Sequence, residues 1–384
     1  MSTSYKVVIT DFISDDLQPE KNILGDLADV TALHAQCEQE LVGKLEDADA
    51  IMLYHDLSLS GRILHRLGNC KLIVRCGVGY DNVDAGLARR LGIPVANVPD
   101  YGTEEVADSA LALTLTLCRG SQQLNSQLRS GTGPWSYTQA VPRYRLRGRT
   151  FGIIGLGRIG TAAALRAKAF GLRVLFHDPY KPSGFDKSLG VQRASTIKEL
   201  LSQSDIVSLH CPLTDDTRHL IDARSIEWMP AGGYLINTAR GEVVDTERLP
   251  EWIASGRLAG AGIDVLEREP PPVDHPLIRA WRDPGHPAHH RVIINPHSAF
   301  YSEEGLLDMR VKGARACRQA LLGERIDNVV NGVVCDAPFP LDIAMELGHP
   351  HQDGHPHFDG RPEVDVHAHI TTMPIRSGIR KEEP

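Results

Sequence analysis

The chain has 384 residues, of which 42% are hydrophobic and 23% are charged. This composition is typical of a globular protein, and at roughly 100–200 residues per domain the length indicates two domains. The formal net charge of -8 gives no electrostatic reason to expect a nucleic acid partner. Composition and charge therefore exclude a disordered or fibrous chain and disfavour a polyanionic ligand.

No membrane segment or export signal stands out in the sequence. The longest near-apolar stretch, residues 110–118, is far shorter than the ~20 residues that span a bilayer. Residues 1–9 lack the basic and long apolar segments of a signal peptide. The seven cysteines are scattered and never form a CxxC pair, so we expect reduced thiols and no metal site. We therefore expect a cytoplasmic protein without membrane contact.

Short β-branched runs alternate with helical stretches up to about residue 99, which predicts a parallel sheet. The predicted strands of this first series are residues 6–10, 50–53, 71–74 and 95–98. Residues 103–119 have the pattern of a long helix that is apolar on all sides. We expect this helix to be buried between domains or subunits.

A second series of apolar runs begins at residue 150. Its predicted strands are residues 150–154, 173–176, 205–209, 233–237, 260–265 and 291–294. Six strands with intervening helices make a complete doubly wound parallel sheet of the Rossmann type. A helix over residues 302–323 and the segment 329–331 have no place in that sheet, so we expect them to return to the first domain.

The sequence thus predicts an α/β protein with two domains and a tail. The first domain comprises residues 1–120 and 302–335, and the second comprises residues 121–301. Residues 336–384 lose all periodicity and are rich in histidine and proline. We expect this tail to be disordered, because it buries too little apolar surface to offset the entropy of ordering.

A glycine motif follows the first strand of the second series. The sequence GLGRIG lies directly after a strand and opens a helix, which is the context that a dinucleotide-binding turn needs. The glycines permit the tight turn, the approach of backbone to a pyrophosphate, and close packing of helix on strand. The cofactor-binding residues predicted in this loop are Gly155, Gly157, Arg158, Ile159 and Gly160.

Asp178 ends the next strand, within the ~20-residue interval expected for the carboxylate that binds an adenosine ribose. A carboxylate there repels a 2′-phosphate, and no arginine follows it directly. The sequence therefore predicts NAD as the cofactor, although Lys181 leaves NADP open. Thr238 and Asp264, near the ends of later strands, are two further predicted cofactor-binding residues.

Three charged or titratable residues, Arg240, Glu269 and His297, follow predicted strands of the second sheet, where open α/β sheets bind ligands. Each is weak evidence alone, but together they suit the reduction of a 2-keto acid. Arg240 can hold the carboxylate and polarise the carbonyl, and His297 can deliver a proton. Glu269 can favour the protonated imidazole and fix its orientation.

These motifs resemble the D-isomer-specific 2-hydroxyacid dehydrogenases over about residues 5 to 333. Within that family the chain is most similar to the C-terminal-binding proteins, which are NAD(H)-binding transcriptional corepressors with a dehydrogenase fold. The segments that carry this second likeness are residues 74–82, 104–109, 166–171, 188–193 and 299–303.

The resemblance implies a flavodoxin-like substrate domain made from both chain ends, a central coenzyme domain, and a cleft between them. It also implies a homodimer formed through the coenzyme domains. In the family, the residues that match Arg240, Glu269 and His297 are catalytic.

The resemblance further implies a substrate pocket. A glycine loop offers backbone amides to the substrate carboxylate, and the arginine before it contacts the keto acid. Phe300 stands where the C-terminal-binding proteins have a tryptophan that packs on the substrate side chain, which suggests a moderately apolar substrate tail. The substrate-binding residues implied in this way are Arg75, Gly77, Val78, Gly79 and Phe300.

Residues 281–290 look like an insertion relative to the family. We expect them near the mouth of the cleft, either shaping substrate access or forming a surface excursion. The tail is only compositionally similar to the tails of the corepressors, and its irregular histidine spacing fits no defined metal site.

The first functional hypothesis is an NAD-dependent dehydrogenase that reduces a small 2-keto acid to the D-2-hydroxy acid. The alternative is an NAD(H)-sensing dimer that recruits peptide partners, as a corepressor or scaffold does. A dehydrogenase of formate or phosphite is a third possibility. The pairing of Arg75 with Phe300 argues against it, because it suits a larger organic acid.

Overall fold

The computed structural model of the protein describes residues 4–334, and the predicted tail lies outside them. Within these residues the chain forms two parallel sheets, of which the first has the spatial order β2-β1-β3-β4-β5. Its strands are β1 Tyr5–Ile9, β2 Ala28–Ala32, β3 Ala50–Leu53, β4 Leu72–Arg75 and β5 Val95–Asn97. The central strands β3 and β4 are buried on both faces, as expected of β-branched and apolar runs in a parallel sheet.

The second sheet has the spatial order β12-β11-β10-β9-β6-β7-β8. Its strands are β6 Thr150–Ile154, β7 Arg173–His177, β8 Gln192–Arg193, β9 Ile206–Leu209, β10 Gly233–Asn237, β11 Leu258–Ile263 and β12 Val292–Ile294. The order reverses between β6 and β9, which creates the switch point of a doubly wound sheet. The predicted α/β fold class is therefore confirmed.

Two edge strands were not predicted from the sequence. The second sheet has seven strands in the described part of the chain and not six, because the two-residue strand β8 pairs with β7. Strand β2 at the edge of the first sheet has only one residue, Ala28, that is fully buried. Edge strands lack the continuous apolar run of a buried strand, so their sequences resemble loops.

Helices connect the strands and cover both sheets. In chain order they are α1 Gln18–Leu24, α2 Gly61–Leu64, α3 Ala85–Arg90, α4 Thr103–Arg119, α5 Ser121–Ser130, α6 Arg158–Ala169, α7 Phe185–Leu189, α8 Ile197–Gln203, α9 Leu249–Ala254, α10 Pro276–Arg282, α11 Ala288–Arg291 and α12 Glu303–Leu322. Short 3₁₀ turns lie at Glu38–Leu41, Tyr137–Ala140, Ser225–Trp228, Gly241–Val243 and Thr246–Arg248.

Helix α12 packs across the five-stranded sheet although it follows the seven-stranded sheet in sequence. Ser302 caps its first turn by accepting a hydrogen bond from Gly305 N. Its apolar face enters the same core as strands β1, β3 and β4. On this helix the buried Arg310 donates to Glu20 at 2.7 Å, which ties α12 to α1.

Helix α4 packs against α6 and the seven-stranded sheet, with Ala107, Ala110 and Leu113 buried in that core. The predicted first domain, residues 1–120, includes this helix, whereas the structure packs α4 mainly against the seven-stranded sheet. Its burial follows the apolar pattern that was read from the sequence. The domain boundaries themselves stay a prediction.

The apparent insertion contributes helix α11, which precedes strand β12 at the amino end of the seven-stranded sheet. Ala288 is completely buried in the core of that sheet, and Trp281 packs against the same core. The catalytic candidates follow the carboxyl ends of the strands, so the expected position near the cleft mouth is wrong. Residues 282–285 and 287 are exposed, so the segment is a surface excursion, with Ala288 packed at the amino edge of the sheet.

Across residues 4–334, the helices are all too short or too polar to cross a bilayer. In the same part of the chain, histidine, cysteine and acidic side chains form no group of three that could hold a metal ion. A cytoplasmic location stays a prediction.

Candidate active site

A small cleft lies between the carboxyl edges of the two sheets. Its volume is about 60 Å³. Of the predicted substrate and cofactor residues, the structure brings the following to its walls: Arg75, Val78, Gly79, Ile159, Thr238, Arg240, Asp264, His297 and Phe300. These residues lie beside both sheets, and the first and last of them are more than two hundred positions apart in sequence, so the fold brings them together.

His297 and Glu269 form a hydrogen-bonded pair at this cleft. The distance between Nδ1 of His297 and Oε2 of Glu269 is 2.7 Å. The other carboxylate oxygen of Glu269 accepts a hydrogen bond from Leu266 N at 2.8 Å, so the carboxylate is held from two sides. Burial opposes ionisation of Glu269, but the hydrogen bond and positive charge of His297 keep its pKa below the usual value.

Asp264 holds the turn that carries His297. Its carboxylate oxygens accept hydrogen bonds from Ser298 N and Ala299 N, and its carbonyl oxygen accepts from His297 N at 2.8 Å. His297 has a φ of 50°, which is uncommon for a residue other than glycine. The structure therefore places Asp264, predicted as a cofactor ligand, at the cleft wall with its carboxylate engaged in fixing the histidine turn.

Arg240 joins the two sheets through an ion pair. Its Nε donates to Asp81 Oδ1 at 3.0 Å, and Asp81 follows strand β4 of the first sheet. A Cβ atom on Gly79 would lie 1.7 Å from Arg240 Nη2, so a side chain at that position would displace the guanidinium. Burial opposes ionisation of the Asp81 carboxyl. The positive charge of Arg240 outweighs this effect and keeps the pKa of Asp81 below its usual value.

Arg75 lies at the carboxyl end of β4 and is only 6% exposed. Within residues 4–334, no carboxylate lies close enough to form an ion pair with it, and its Nε has no hydrogen-bond partner. Burial, together with repulsion from Arg240, lowers the pKa of Arg75. A buried cation without a counter-ion is costly, and it is the feature expected of a group that binds an anion.

The loop after Arg75 is shaped by glycine. Gly77 has a φ of 154°, and a Cβ atom there would lie 1.5 Å from Arg75 Nη1. Any larger residue would therefore displace the guanidinium of Arg75. Gly77, Val78 and Gly79 keep their backbone close to both arginines, as the predicted substrate loop requires.

The glycine loop of the second sheet lies at the switch point between β6 and β9. A Cβ atom on Gly160 would lie 2.1 Å from Gly155 O, so helix and strand could not pack as they do with any larger residue. A Cβ atom on Gly157 would meet no atom within 4 Å, which leaves open space beside the loop. No side chain caps the first turn of α6, so its backbone amides can receive a pyrophosphate.

Asp178 follows β7 and faces back toward this loop. Its carboxylate accepts hydrogen bonds from Leu156 N at 2.8 Å and from Tyr180 N at 3.0 Å. Each oxygen has a second lone pair for a ribose hydroxyl. Arg193, which the sequence analysis did not consider, donates to the carbonyl oxygen of Asp178 at 3.3 Å and lies over the ring of Phe176.

Thr238 is buried at the cleft wall, and its Oγ1 has no hydrogen-bond partner in the described structure. Such an atom is costly unless a ligand satisfies it. Together with the open amides of α6, this observation fits a dinucleotide whose pyrophosphate lies on the glycine loop. Arg158 is exposed and Ile159 is half-buried, on the first turn of that helix.

Sequence reasoning missed several residues of the site. His55 lines the cleft, with its ring centroid 5.4 Å from that of His297, and Tyr101 lines it as well. Asp81 pairs with Arg240, as described above. His55 follows strand β3, so the argument from strand ends that identified His297 could also have found His55. Nothing in the sequence signals the contact between Asp81 and Arg240, which are 159 residues apart.

Comparison with known proteins places this geometry in a family. Residues 111–299 match the model of the D-isomer specific 2-hydroxyacid dehydrogenase, NAD binding domain. The chain belongs to the D-isomer specific 2-hydroxyacid dehydrogenase family. The predicted resemblance is thus confirmed, and the seven-stranded sheet carries the NAD-binding domain of this family.

Several relatives share most of the described chain. C-terminal-binding protein 1 of Caenorhabditis elegans is 37% identical over 315 residues, covering 80% of this chain and 42% of that protein. D-3-phosphoglycerate dehydrogenase of Methanocaldococcus jannaschii is 33% identical over 326 residues, covering 85% of this chain and 59% of that enzyme. The chain therefore spans about half the length of these curated relatives.

A solved structure of this dehydrogenase family has the same fold. The D-lactate dehydrogenase of Aquifex aeolicus, complexed with NAD and lactic acid, matches with a TM-score of 0.74 and 29% identity. The match covers 83% of this chain and 96% of that one. The likeness therefore extends over both sheets.

Proposed function

We propose that the protein is an NAD-dependent D-2-hydroxyacid dehydrogenase, which interconverts a small 2-keto acid and its 2-hydroxy acid. One observation carries the proposal: His297, which is hydrogen-bonded to Glu269 at 2.7 Å, and Arg75, which has no ion-pair partner among residues 4–334, line a common cleft. Reduction of a keto acid requires a proton donor and a group that holds the carboxylate.

The substrate carboxylate would bind beside Arg75, whose buried charge lacks a counter-ion. The backbone of the loop at Gly77–Gly79 lies against this guanidinium and can donate to the same carboxylate. A hydrogen bond to a charged group contributes about 1.5–3 kcal/mol. Arg75 thereby sets the affinity for the acid and the position of its keto group.

His297 would act as the acid in reduction and the base in oxidation. Its Nδ1 is bonded to Glu269, so Nε2 is the ring nitrogen that remains to donate a proton to the keto oxygen. Arg240, at the same cleft, would polarise that oxygen. Glu269 would stabilise the imidazolium and fix the ring in place.

NAD, when bound in its reduced form, supplies the hydride that the keto carbon accepts. The amides of the glycine loop and of the first turn of α6 would hold its pyrophosphate. Asp178 would accept hydrogen bonds from the adenosine ribose and repel a 2′-phosphate, which favours NAD over NADP. Thr238 Oγ1 would gain the partner that it lacks.

The alternative function is an NAD(H)-sensing protein that recruits peptide partners, as a corepressor or scaffold. The similarity to a C-terminal-binding protein favours it, and an intact set of catalytic residues does not exclude it. Both proposals require NADH binding, but only the first requires turnover.

Turnover with a panel of keto acids separates the two. Purified protein would be mixed with NADH and glyoxylate, pyruvate, hydroxypyruvate or longer analogues, and absorbance at the NADH band would be followed. We expect turnover that falls about 10² to 10⁴-fold in His297→Ala with the fold retained by circular dichroism. NADH binding without turnover would contradict the enzyme and support the sensor.

A homodimer formed through the coenzyme domain is part of the proposal. Trp135 and Tyr137, in the loop before β6, are 90% and 77% exposed. The amino end of the seven-stranded sheet also holds a cavity of about 570 Å³, bounded by residues 139–146 of the same loop. Contiguous exposed apolar patches mark interaction surfaces, and these two aromatic side chains lie two residues apart in one loop. Light scattering of the wild type and of Trp135→Ser would test it, and a monomeric wild type would contradict it.

A further inference from the structure

A short segment, residues 298–301, joins His297 to the first turn of helix α12. The segment ends at Ser302, which accepts a hydrogen bond from Gly305 N and so begins the helix. Within this segment the chain returns from the seven-stranded sheet to the five-stranded sheet, on which α12 packs. The position of the imidazole therefore depends on how firmly the backbone of this segment is held.

The seven-stranded sheet holds one side of the segment. The carboxylate of Asp264, which follows β11, accepts hydrogen bonds from Ser298 N at 3.0 Å and from Ala299 N at 3.1 Å. These bonds engage the amides of the segment. The carbonyl oxygen of Ala299 and the hydroxyl of Ser302 remain for other partners.

Helix α4 supplies those partners. Ser109 Oγ donates a hydrogen bond to the carbonyl oxygen of Ala299 at 3.1 Å. One helical turn earlier, Glu105 Oε1 accepts a hydrogen bond from Ser302 Oγ at 2.7 Å. Residues four positions apart lie on the same face of a helix, so one face of α4 contacts the segment at two points. We call Glu105 and Ser109 the α4 clamp.

The helix that carries the clamp is anchored in two cores. Val106 packs in the core that also contains Ala299 and Phe300, whereas the next residue, Ala107, packs in a core of the seven-stranded sheet. Closely packed interiors resist displacement. The α4 clamp therefore has a rigid support from which to hold the segment.

Glu105 has a second carboxylate oxygen that stability does not explain. Its Oε2 is buried and has no hydrogen-bond partner among residues 4–334. A buried polar atom without a partner is destabilising. A glutamine could accept the same hydrogen bond from Ser302 without a buried charge. Local features that cost stability are expected at functional sites, so this carboxylate points to a role beyond folding.

We propose that Glu105 and Ser109 are positioning residues, which hold the backbone of residues 299–302 and thereby the turn that presents His297 to the keto acid. The inference rests on the proposed function, because the reaction needs a proton from His297. Neither clamp residue lines the cleft, so each acts through the backbone between them and the imidazole. A displacement of about 1 Å at a reacting group can lower the rate about 100-fold.

Steady-state kinetics of keto acid reduction test the clamp. Ser109→Ala and Glu105→Ala should each lower kcat about tenfold. KM for the keto acid and for NADH should stay within about twofold of wild type, because the groups that bind them are unchanged. Glu105→Gln keeps an oxygen that can accept from Ser302, and Ser109→Thr keeps the hydroxyl, so both should retain at least about half of the wild-type kcat.

Two variants on the same helix are matched controls. Glu104 is exposed and adjacent to the clamp, and Thr116 lies near the carboxyl end of α4, away from the segment. Glu104→Ala and Thr116→Ala should keep the wild-type kcat. Wild-type kcat in both alanine variants of the clamp would overturn the inference. A Glu105→Gln variant as impaired as Glu105→Ala would overturn it too, because the accepting oxygen would then not matter.

Hydrogen exchange measures the clamp without turnover. In the ligand-free protein, the amides of Ser298 and Ala299 should exchange about tenfold faster in Ser109→Ala and Glu105→Ala than in wild type, because the segment opens more often. NADH affinity, measured by calorimetry, should be unchanged. Wild-type exchange at these amides in both variants would overturn the inference even if kcat falls.

The two readouts separate this inference from the dehydrogenase proposal. If the wild type binds NADH but reduces no keto acid, the dehydrogenase proposal fails, and the positioning role that rests on it fails with it, whatever the exchange rates. If the wild type reduces keto acids and the alanine variants match it in kcat and in exchange, the dehydrogenase proposal stands and the clamp fails.

Discussion

The two sheets present different electrostatic edges to one cleft. On the seven-stranded side, the titratable groups are paired: His297 with Glu269, and Arg240 with Asp81. On the five-stranded side, Arg75 is buried, its Nε lacks a hydrogen-bond partner, and no carboxylate of residues 4–334 forms an ion pair with it. The groups that would move a proton are thus already oriented by partners, whereas the charge that an anionic ligand would neutralise has no ion-pair partner in the described residues.

The largest expected effect comes from breaking a pair on the seven-stranded side. Glu269→Gln keeps the shape of the side chain but removes the charge that favours the imidazolium. We expect kcat for keto acid reduction to fall about 100-fold with KM nearly unchanged, because the loss is confined to the transition state.

Glu267→Gln is the matched control for this variant. Glu267 lies two residues away, contacts His219 at 3.2 Å and is outside the cleft. It should retain wild-type kcat. An equal loss in both variants would show that the whole turn, and not the Glu269 charge, is responsible.

Removing the charge of Arg75 tests the role of the five-stranded side. Arg75→Met should raise KM for keto acids about 10 to 100-fold, because a charge-assisted hydrogen bond is lost. The same variant should increase the stability of the ligand-free protein by on the order of 1 kcal/mol, since a buried cation without a counter-ion is removed.

Steady-state kinetics and thermal unfolding without ligand measure these two effects. Arg89→Met, an exposed arginine on α3, is the control and should change neither quantity. A lower melting temperature for Arg75→Met would contradict the claim that this charge is uncompensated.

A third prediction concerns the 2′-phosphate of NADPH, which the Asp178 carboxylate on the seven-stranded side would repel. Asp178→Ser should lower KM for NADPH about tenfold relative to NADH, because the carboxylate no longer repels the 2′-phosphate. Kinetics with both cofactors measure the ratio, and Asp186→Ser on the neighbouring helix α7 should leave it unchanged. A wild type that already prefers NADPH would refute the assignment of Asp178.

A fourth prediction concerns the dependence of stability on pH. The pKa of His55 is lowered from 6.5 to about 4 by burial, so the unfolded chain binds a proton between these values and the folded protein does not. Stability is therefore lost as the pH falls from 6.5 toward 4, and at pH 5 the loss from His55 is about 2 kcal/mol.

His55→Gln should remove this contribution. The free energy of unfolding by urea at pH 8 and pH 5 would be compared in wild type and variant, and the variant should show the smaller decrease. His65→Gln, on the surface of the same domain, should keep the wild-type decrease. Identical decreases in wild type and His55→Gln would refute the burial of a neutral imidazole.

Much of the fold could be predicted because buried parallel strands have continuous apolar sequences. Residues 50–53 and 233–237 were assigned with the bounds that the structure gives to β3 and β10. Edge strand β8 has two residues and no apolar run, so no pattern marks it. Helix α4 was recognised, but its sequence does not specify which sheet it covers.

The site also has residues that the sequence predicts and features that it does not predict. His297 and Arg240 could be predicted because the carboxyl ends of parallel strands are recognisable positions, whereas Arg75 was implied by the family resemblance. The absence of a counter-ion at Arg75 could not be predicted, because it depends on every side chain around it. The contact between the rings of Phe12 and His55, whose centroids lie 4.5 Å apart, joins turns that are linked by hydrogen bonds from Tyr54 N and Asp56 N to Asp11, more than 40 residues away in sequence.

The return of helix α12 has a consequence for biosynthesis. The face of the five-stranded sheet that receives Met309, Ala314 and Cys317 stays uncovered until the ribosome has translated the chain to residue 322. The seven-stranded sheet ends at Ile294 and can therefore close earlier. During translation, the part made first is expected to be completed last, and it is the part that a chaperone would need to shield.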